Sequence, residues 1–281
     1  MFADLALLAA QEETHEGSCH FETGDCGFPA PSADIFELDP YATFSLFGLE
    51  FHITKYVVLA AIGVVLIVGF FFLAFRVPRL VPSRLQSVGE LGYLFVRDQI
   101  SRQVIGKKGE YFVPFLVSLF FFVWVFNLFA VIPAGQFPVT SKLAFPAALS
   151  AMVWLIFNYV GIRNQGFVGY FKNMAFPPGV PKALYIILTP IELFSTLLVR
   201  PFTLAVRLFA NMFAGHLLLT TFTVAAWYLF SSNPFGLIFS ATSFILTVVL
   251  TAFEMFIQAL QAFIFTLLTA SYIGGALEAE H

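Results

Sequence analysis

Few residues in this chain could do chemistry, and most of them stand in apolar surroundings. One group lies in the stretch Pro201-Phe-Thr-Leu-Ala-Val-Arg207-Leu-Phe-Ala-Asn211-Met-Phe-Ala-Gly215-His216, inside an apolar block from Ala183 to Phe230. A second group, Thr247, Thr251, Glu254, Gln258 and Gln261, lies in the block Pro234–Leu277. An arginine placed in hydrocarbon costs a few kcal/mol even on lenient insertion scales, so it faces a protein interior, a cavity or a partner charge. Histidine takes up and releases protons near neutral pH. Intramembrane acids and histidines commonly mark proton or ion routes.

Spacing sorts these residues by face. On a helix at 100° per residue, Thr196, Arg200, Thr203 and Asn211 fall on the side of Arg207. Ala210 and Ala214 flank this stripe, and small residues permit close helix approach in a membrane. His216, nine residues after Arg207, points to the opposite side. In the last block, spacings of 4, 3, 4 and 3 keep Thr247, Thr251, Glu254, Gln258 and Gln261 on one face. Together, Arg207, His216, Glu254 and Gln261 look like an ion path with a fixed positive barrier, and buried structural pairing is the competing reading. Arg200, beside Pro201, has three readings: reaching an inner interface, pairing with an acid, or snorkelling to the membrane surface.

The elements that must position these groups follow from composition. Hydrophobic residues make up 59% of the 281 and charged residues 11%, against about 25% charged in an ordinary soluble domain. Five apolar blocks, Tyr56–Phe75, Phe112–Ile132, Leu143–Ile162, Ala183–Phe230 and Pro234–Leu277, are long enough to cross a bilayer. The expected fold class is an all-α polytopic membrane protein, because helices satisfy their own backbone groups in lipid. The last two blocks are too long to cross upright. Pro190 and Pro201 are expected to kink the first of them, or both lie strongly tilted. Between the first two blocks, Val88, Leu91 and Phe95 recur at near-helical spacing among polar residues, which suggests an amphipathic surface helix. A solvated linker is the competing reading.

Charge gives an orientation. Ten of the fourteen Lys and Arg fall in the loops 76–110 and 163–182, and only Lys55 and Lys142 fall on the other side. The positive-inside rule then puts the N-terminus outside and the C-terminus in the cytoplasm. Residues 1–50 carry ten acids and no Lys or Arg, unlike an organelle transit peptide. The expected organisation is an extracytoplasmic extension over 1–55 and a membrane domain over 56–281. Cys19 and Cys26 leave three readings open: a disulfide loop, free thiols or part of a metal site. Two cysteines fall short of a four-ligand zinc site, and no metal site or cofactor is assigned.

The motifs Arg207-Leu-Phe-Ala-Asn211-Met-Phe-Ala-Gly215-His216 and Gln261-Ala-Phe-Ile-Phe265 make most of residues 56–281 resemble the a subunit of the F-type rotary ATP synthase. The resemblance implies that the last two blocks form a tilted hairpin against a ring of c subunits. It further implies b-type peripheral stalk subunits and the rest of the F0F1 complex as partners, in a bacterial plasma membrane. Arg207 would be the essential arginine facing the ring carboxylates, with Asn211 lining the same face and Gln261 near it on the last helix. His216 and Glu254 match two positions of an aqueous half-channel, with Gln258 beside them. Some members carry the acid first and the histidine second; here the order is reversed. Glu192 is a looser match, either to the channel or to helix packing.

Rival classes have less support. An independent transporter would be expected to show internal repeats and a complete substrate site. A membrane enzyme finds no HExxH, GxSxG or phosphate-cradling glycine loop in this sequence, and nothing points to nucleic acid.

Overall fold

The structure is a computed structural model and describes residues 28, 31, 42–46, 49–132, 138–176, 185–230 and 233–277. Cys19 and Cys26 lie outside the described residues. Almost all of the described chain is helical. Five helical stretches have the length and composition to cross a membrane: Lys55–Phe75, Gly106–Leu128, Ala144–Gln165, Tyr185–Tyr228 and Pro234–Leu277. This is the all-α polytopic architecture that the apolar blocks predict. A departure precedes the first span. Strands β1 (Ala42–Leu46) and β2 (Leu49–Ile53) pair antiparallel, Ala42 opposite Ile53 and Leu46 opposite Leu49, within the stretch expected as an extension with no strand assigned.

Helix α1 (Lys55–Phe75) leads to α2 (Arg84–Phe95), whose first turn is capped by the Ser83 hydroxyl accepting from Gln86 N–H at 3.3 Å. This is the helix that Val88, Leu91 and Phe95 predicted, and those three side chains are exposed. Its packed side carries Gln86, Gly89 and Gly92, and the two glycines set the closeness of approach. A Cβ at Gly89 would stand 3.2 Å from the Ala74 Cβ, and one at Gly92 would stand 2.6 Å from the Phe121 ring. The glycines let α2 lie close against its neighbours while its apolar stripe stays open. The chain continues through a π turn (Val96–Ser101), one α turn (Arg102–Val104) and a 3-10 segment (Gly106–Phe112), so the region is far more ordered than a linker.

Helix α3 (Val113–Leu128) sits at the centre of the core, with Leu116, Leu119 and Val123 almost wholly buried against Val153 and Phe157 of α4 (Ala144–Gln165) and Phe265 further along the chain. Gly166 separates α4 from α5 (Phe167–Ala175). Its φ of 74° and ψ of 159° belong to a region that is essentially glycine-only. That turn carries the Tyr170 ring back against Gly161, where its hydroxyl donates to Asn158 Oδ1 at 3.1 Å.

The fourth apolar block is not one regular helix. It comprises α6 (Tyr185–Phe194), a π turn (Ser195–Val199) and α7 (Arg200–Tyr228). Pro190 lies inside α6 and Pro201 is the second residue of α7, yet the irregularity falls between them. Pro201 has no N–H to donate and its ring crowds the carbonyl four residues back. The ladder widens just upstream, where the Arg200 N–H reaches Ser195 O, five residues back. The fifth block is one helix, α8 (Pro234–Leu277), of 44 residues. At 1.5 Å per residue it is about 66 Å long, roughly twice the hydrocarbon thickness.

By compactness the chain divides into two units. One includes Leu217–Phe253, where Ser240 Oγ donates to Ala226 O at 2.6 Å and Phe28 meets Tyr228 edge-on. The other, within Phe36–His216 and Glu254–His281, holds the central core together with Glu192, Arg200, Arg207, Asn211, His216, Glu254, Gln258 and Gln261.

Candidate functional site

Helix α7 is two-sided around Arg207. Leu204, Ala205, Leu208 and Met212 are buried, and Leu204 and Leu208 join the same cluster as Ala262 and Phe265 of α8. Between helices in lipid such contact stabilises mainly by close packing, since there is little water to expel. Thr203, Arg207, Ala210, Asn211 and Ala214 are exposed. The stripe expected from 100° spacing is therefore an open face. No carboxylate among the described residues forms an ion pair with Arg207.

The face of α8 that meets this region is polar and closed. Glu254, Gln258 and Gln261 are 5%, 0% and 2% exposed. Gln261 Oε1 accepts from Asn211 Nδ2 at 2.8 Å, which ties α8 to α7 one turn beyond Arg207. Glu254 and Gln258 lie one turn apart on α8, close enough for the Gln258 amide to bear on the carboxylate, and beyond that mutual approach neither they nor Gln261 Nε2 has a hydrogen-bond partner within the described protein. Buried polar groups without partners cost about 1–3 kcal/mol each, so this unused capacity is expected to serve water, a proton or another chain.

Gly215 explains how Glu254 fits. A Cβ there would stand 3.2 Å from Glu254 Oε1, so the carboxylate rests against bare backbone. His216, half-buried, is the next residue along α7. Thr247 and Thr251 take a lesser part than their place on the stripe suggested. Each hydroxyl donates to a carbonyl of its own helix, Ser243 O at 3.0 Å and Thr247 O at 2.8 Å.

A second cluster forms around Arg200. Its Nη2 donates to Glu192 Oε1 at 3.0 Å across the π turn, and Thr196 Oγ1 donates to the same oxygen at 3.4 Å. Of the three readings of Arg200, the structure shows the pair with an acid. The guanidinium also stands over the Tyr272 ring, 5.4 Å from its centroid. Burial pushes the Tyr170 phenol upward, and the positive charge of Arg200 opposes that shift. Tyr272 and Tyr170 were not singled out from sequence. For Tyr272 a signal existed: it lies eleven residues after Gln261, about 20° away on a helix, and so extends the same stripe.

Five helical stretches long and apolar enough to cross a membrane define the class, an all-α polytopic membrane protein. The sequence comparisons give its lineage. Residues 57–274 match the family model described as ATP synthase A chain. The chain is 50% identical over 272 residues to a Streptomyces lividans protein named ATP synthase subunit a, covering 95% of this chain and 93% of that protein. It is 45% identical to the protein of that name from Frankia alni, covering 92% and 89%, and 40% identical to the one from Hyphomonas neptunium, covering 87% and 95%. The chain belongs to the ATP synthase A chain family.

Proposed function

We propose that this chain is the proton-translocating stator subunit of an F-type ATP synthase. The observation that carries this reading is the open face of α7. It holds an arginine without an ion-pair partner among the described residues, beside the small Ala210 and Ala214 and opposite buried acid and amide groups. Such a face is suited to a partner helix that brings a carboxylate. The partner is a ring of c subunits, and b-type stalk subunits hold this chain against it in a bacterial plasma membrane. The N-terminus lies outside and the C-terminus in the cytoplasm, as the Lys and Arg bias suggests. The lengths of α6–α7 and α8 suit a strongly tilted hairpin along the ring.

In this mechanism a proton enters a water-filled half-channel past His216, Glu254 and Gln258 and neutralises a ring carboxylate. A neutral carboxyl crosses lipid at little cost, whereas a charged one does not. After nearly a full rotation the carboxyl releases its proton through the second half-channel to the inside. Arg207 then attracts the carboxylate and keeps it ionised, because a nearby positive charge favours the charged form. Arginine stays protonated in proteins, so it also separates the half-channels. Asn211 and Gln261, bonded to each other, brace the helix pair beside Arg207. Each charge crossing 100 mV supplies about 2.3 kcal/mol to rotation. The chain itself carries no nucleotide chemistry in this scheme.

The decisive measurement is ATP synthesis in energised membrane vesicles holding the Arg207→Ala complex. Loss of coupled synthesis is expected; synthesis at the wild-type rate would overturn the proposal.

A further inference from the structure

The open face of α7 has a second cation in phase with the first. Arg200 precedes Arg207 by seven residues, which puts it within about 20° of Arg207 around the helix and about 10 Å along it. Two guanidiniums on one stripe would compete for a carboxylate arriving from a partner chain, since both remain charged. The structure withdraws Arg200 from that role. Glu192 accepts its hydrogen bond at 3.0 Å, and Tyr272 lies under its guanidinium with the ring centroid 5.4 Å away.

The platform under Arg200 is rigidly held. The Tyr272 ring packs on Phe157, centroids 5.6 Å apart, and Phe157 is 1% exposed. The next two residues, Ile273 and Gly274, are buried, and a Cβ at Gly274 would stand 3.3 Å from Val104 O. Beyond them, Asn164 Nδ2 donates to Leu277 O at 3.0 Å and Gln165 Nε2 to Ala276 O at 3.2 Å, fastening the end of α8 to α4. Glu192 alone would be a looser anchor. It is joined to Arg200 through the π turn and is itself partly exposed.

We propose that Tyr272 is a positioning residue that holds Arg200 against Glu192, off the open face of α7, so that Arg207 is the one cation presented to the partner carboxylate. Glu192 then acts as the acid that neutralises Arg200 and not as an open relay group. This rests on the stator reading of Arg207. A guanidinium over an aromatic face is attracted by the ring quadrupole, so the ring and not the hydroxyl does the holding.

The test uses the intact complex in inverted membrane vesicles and reads ATP-driven proton pumping per assembled complex. Tyr272→Leu keeps apolar bulk and loses the quadrupole; pumping is expected to fall about fivefold. Tyr272→Phe keeps the ring and is expected to pump near the wild-type rate. Adding Arg200→Gln to Tyr272→Leu is expected to restore most of the lost pumping, because the freed cation is gone. A purely structural role for Tyr272 gives no such rescue. Wild-type pumping by Tyr272→Leu, an equal defect in Tyr272→Phe, or a double variant as defective as Tyr272→Leu would each overturn the inference. Arg207→Ala separates the two levels. If it abolishes pumping while Tyr272→Leu pumps at the wild-type rate, the positioning role alone fails; if it pumps normally, the stator reading fails with it.

Discussion

The α1–α3–α4 core and the α7–α8 contact at Arg207 use polar side chains in opposite ways. In the first, polar groups close on nearby partners. Thr140 Oγ1 donates to Asn127 Oδ1 at 2.8 Å, Ser141 Oγ to Pro138 O at 2.8 Å, and Asn158 Nδ2 to Trp154 O at 2.7 Å. Only single atoms such as Asn127 Nδ2 and Trp154 Nε1 remain over. At the α7–α8 contact a whole carboxylate and a whole amide, Glu254 and Gln258, have at most each other as partners. A region that only has to hold together spends its polar capacity internally, because an unmet buried group costs more than a made bond gains. A region that must exchange protons or meet a partner keeps that capacity available.

Substitutions can break this contrast, and the largest effect is expected at the open face. Arg207→Ala should eliminate ATP-driven proton pumping while leaving the complex assembled, since its guanidinium holds no ion pair that folding relies on among the described residues. Loss of assembly instead of pumping would move Arg207 into the structural class. Next come Glu254→Gln and His216→Ala, each expected to slow pumping about tenfold, which corresponds to roughly 1.4 kcal/mol on the transport barrier. The exchanged pair His216→Glu with Glu254→His should recover part of that loss. Undiminished pumping in both single variants would remove these residues from the path.

Gly215→Val sharpens the comparison. Its Cβ would begin 3.2 Å from the Glu254 carboxylate, so the side chain must displace the acid or part the helices. A loss of a few-fold in pumping with unchanged assembly is expected, and assembly and flux measured on the same membranes separate the two outcomes. In the core the same measurements should give the reverse pattern. Thr140→Val strands Asn127 Oδ1 and should lower the stability of the complex by about 1–2 kcal/mol in thermal inactivation, with pumping per surviving complex unchanged.

The smallest effect is expected at the partly exposed Arg97–Asp98–Arg102–Glu110 network, with contacts of 2.6–3.0 Å. The hydrogen bond from Arg97 is the main cause holding the Asp98 carboxyl below the usual carboxylate range. A depressed acid contributes stability above its ordinary pKa of about 3.9 and loses it as pH falls through the lower folded value. Asp98→Asn should therefore leave stability unchanged by pH between about 5 and 8. Any difference from wild type should shrink in high salt, as exposed pairs do. A large salt-resistant effect would mean that this network supports more than the surface.

Much of the architecture was legible before folding. Span positions follow from length and apolarity, because a helix in lipid has no alternative for its backbone groups. The phase of Arg207 with Thr203, Ala210 and Asn211, and of Glu254 with Gln258 and Gln261, follows from 3.6 residues per turn. The pairing of β1 with β2 did leave a signal, one that span length and apolarity do not register: Phe44, Leu46, Leu49, Phe51 and Ile53 alternate with polar residues on either side of Phe47-Gly48. The prolines marked the right block, but the π turn upstream of Pro201 depends on which carbonyl accepts the Arg200 N–H.

Periodicity fixes the angle of a residue on its own helix and says nothing about the height at which two helices meet. Sequence alone therefore determined the membrane class, the spans and the two polar stripes. Register and rotation, set by packing such as Leu208 against the α8 cluster and by Gly215 at Glu254, decided the rest. They joined Asn211 to Gln261, gave Arg200 to Glu192 and Tyr272, and left Arg207 facing outward.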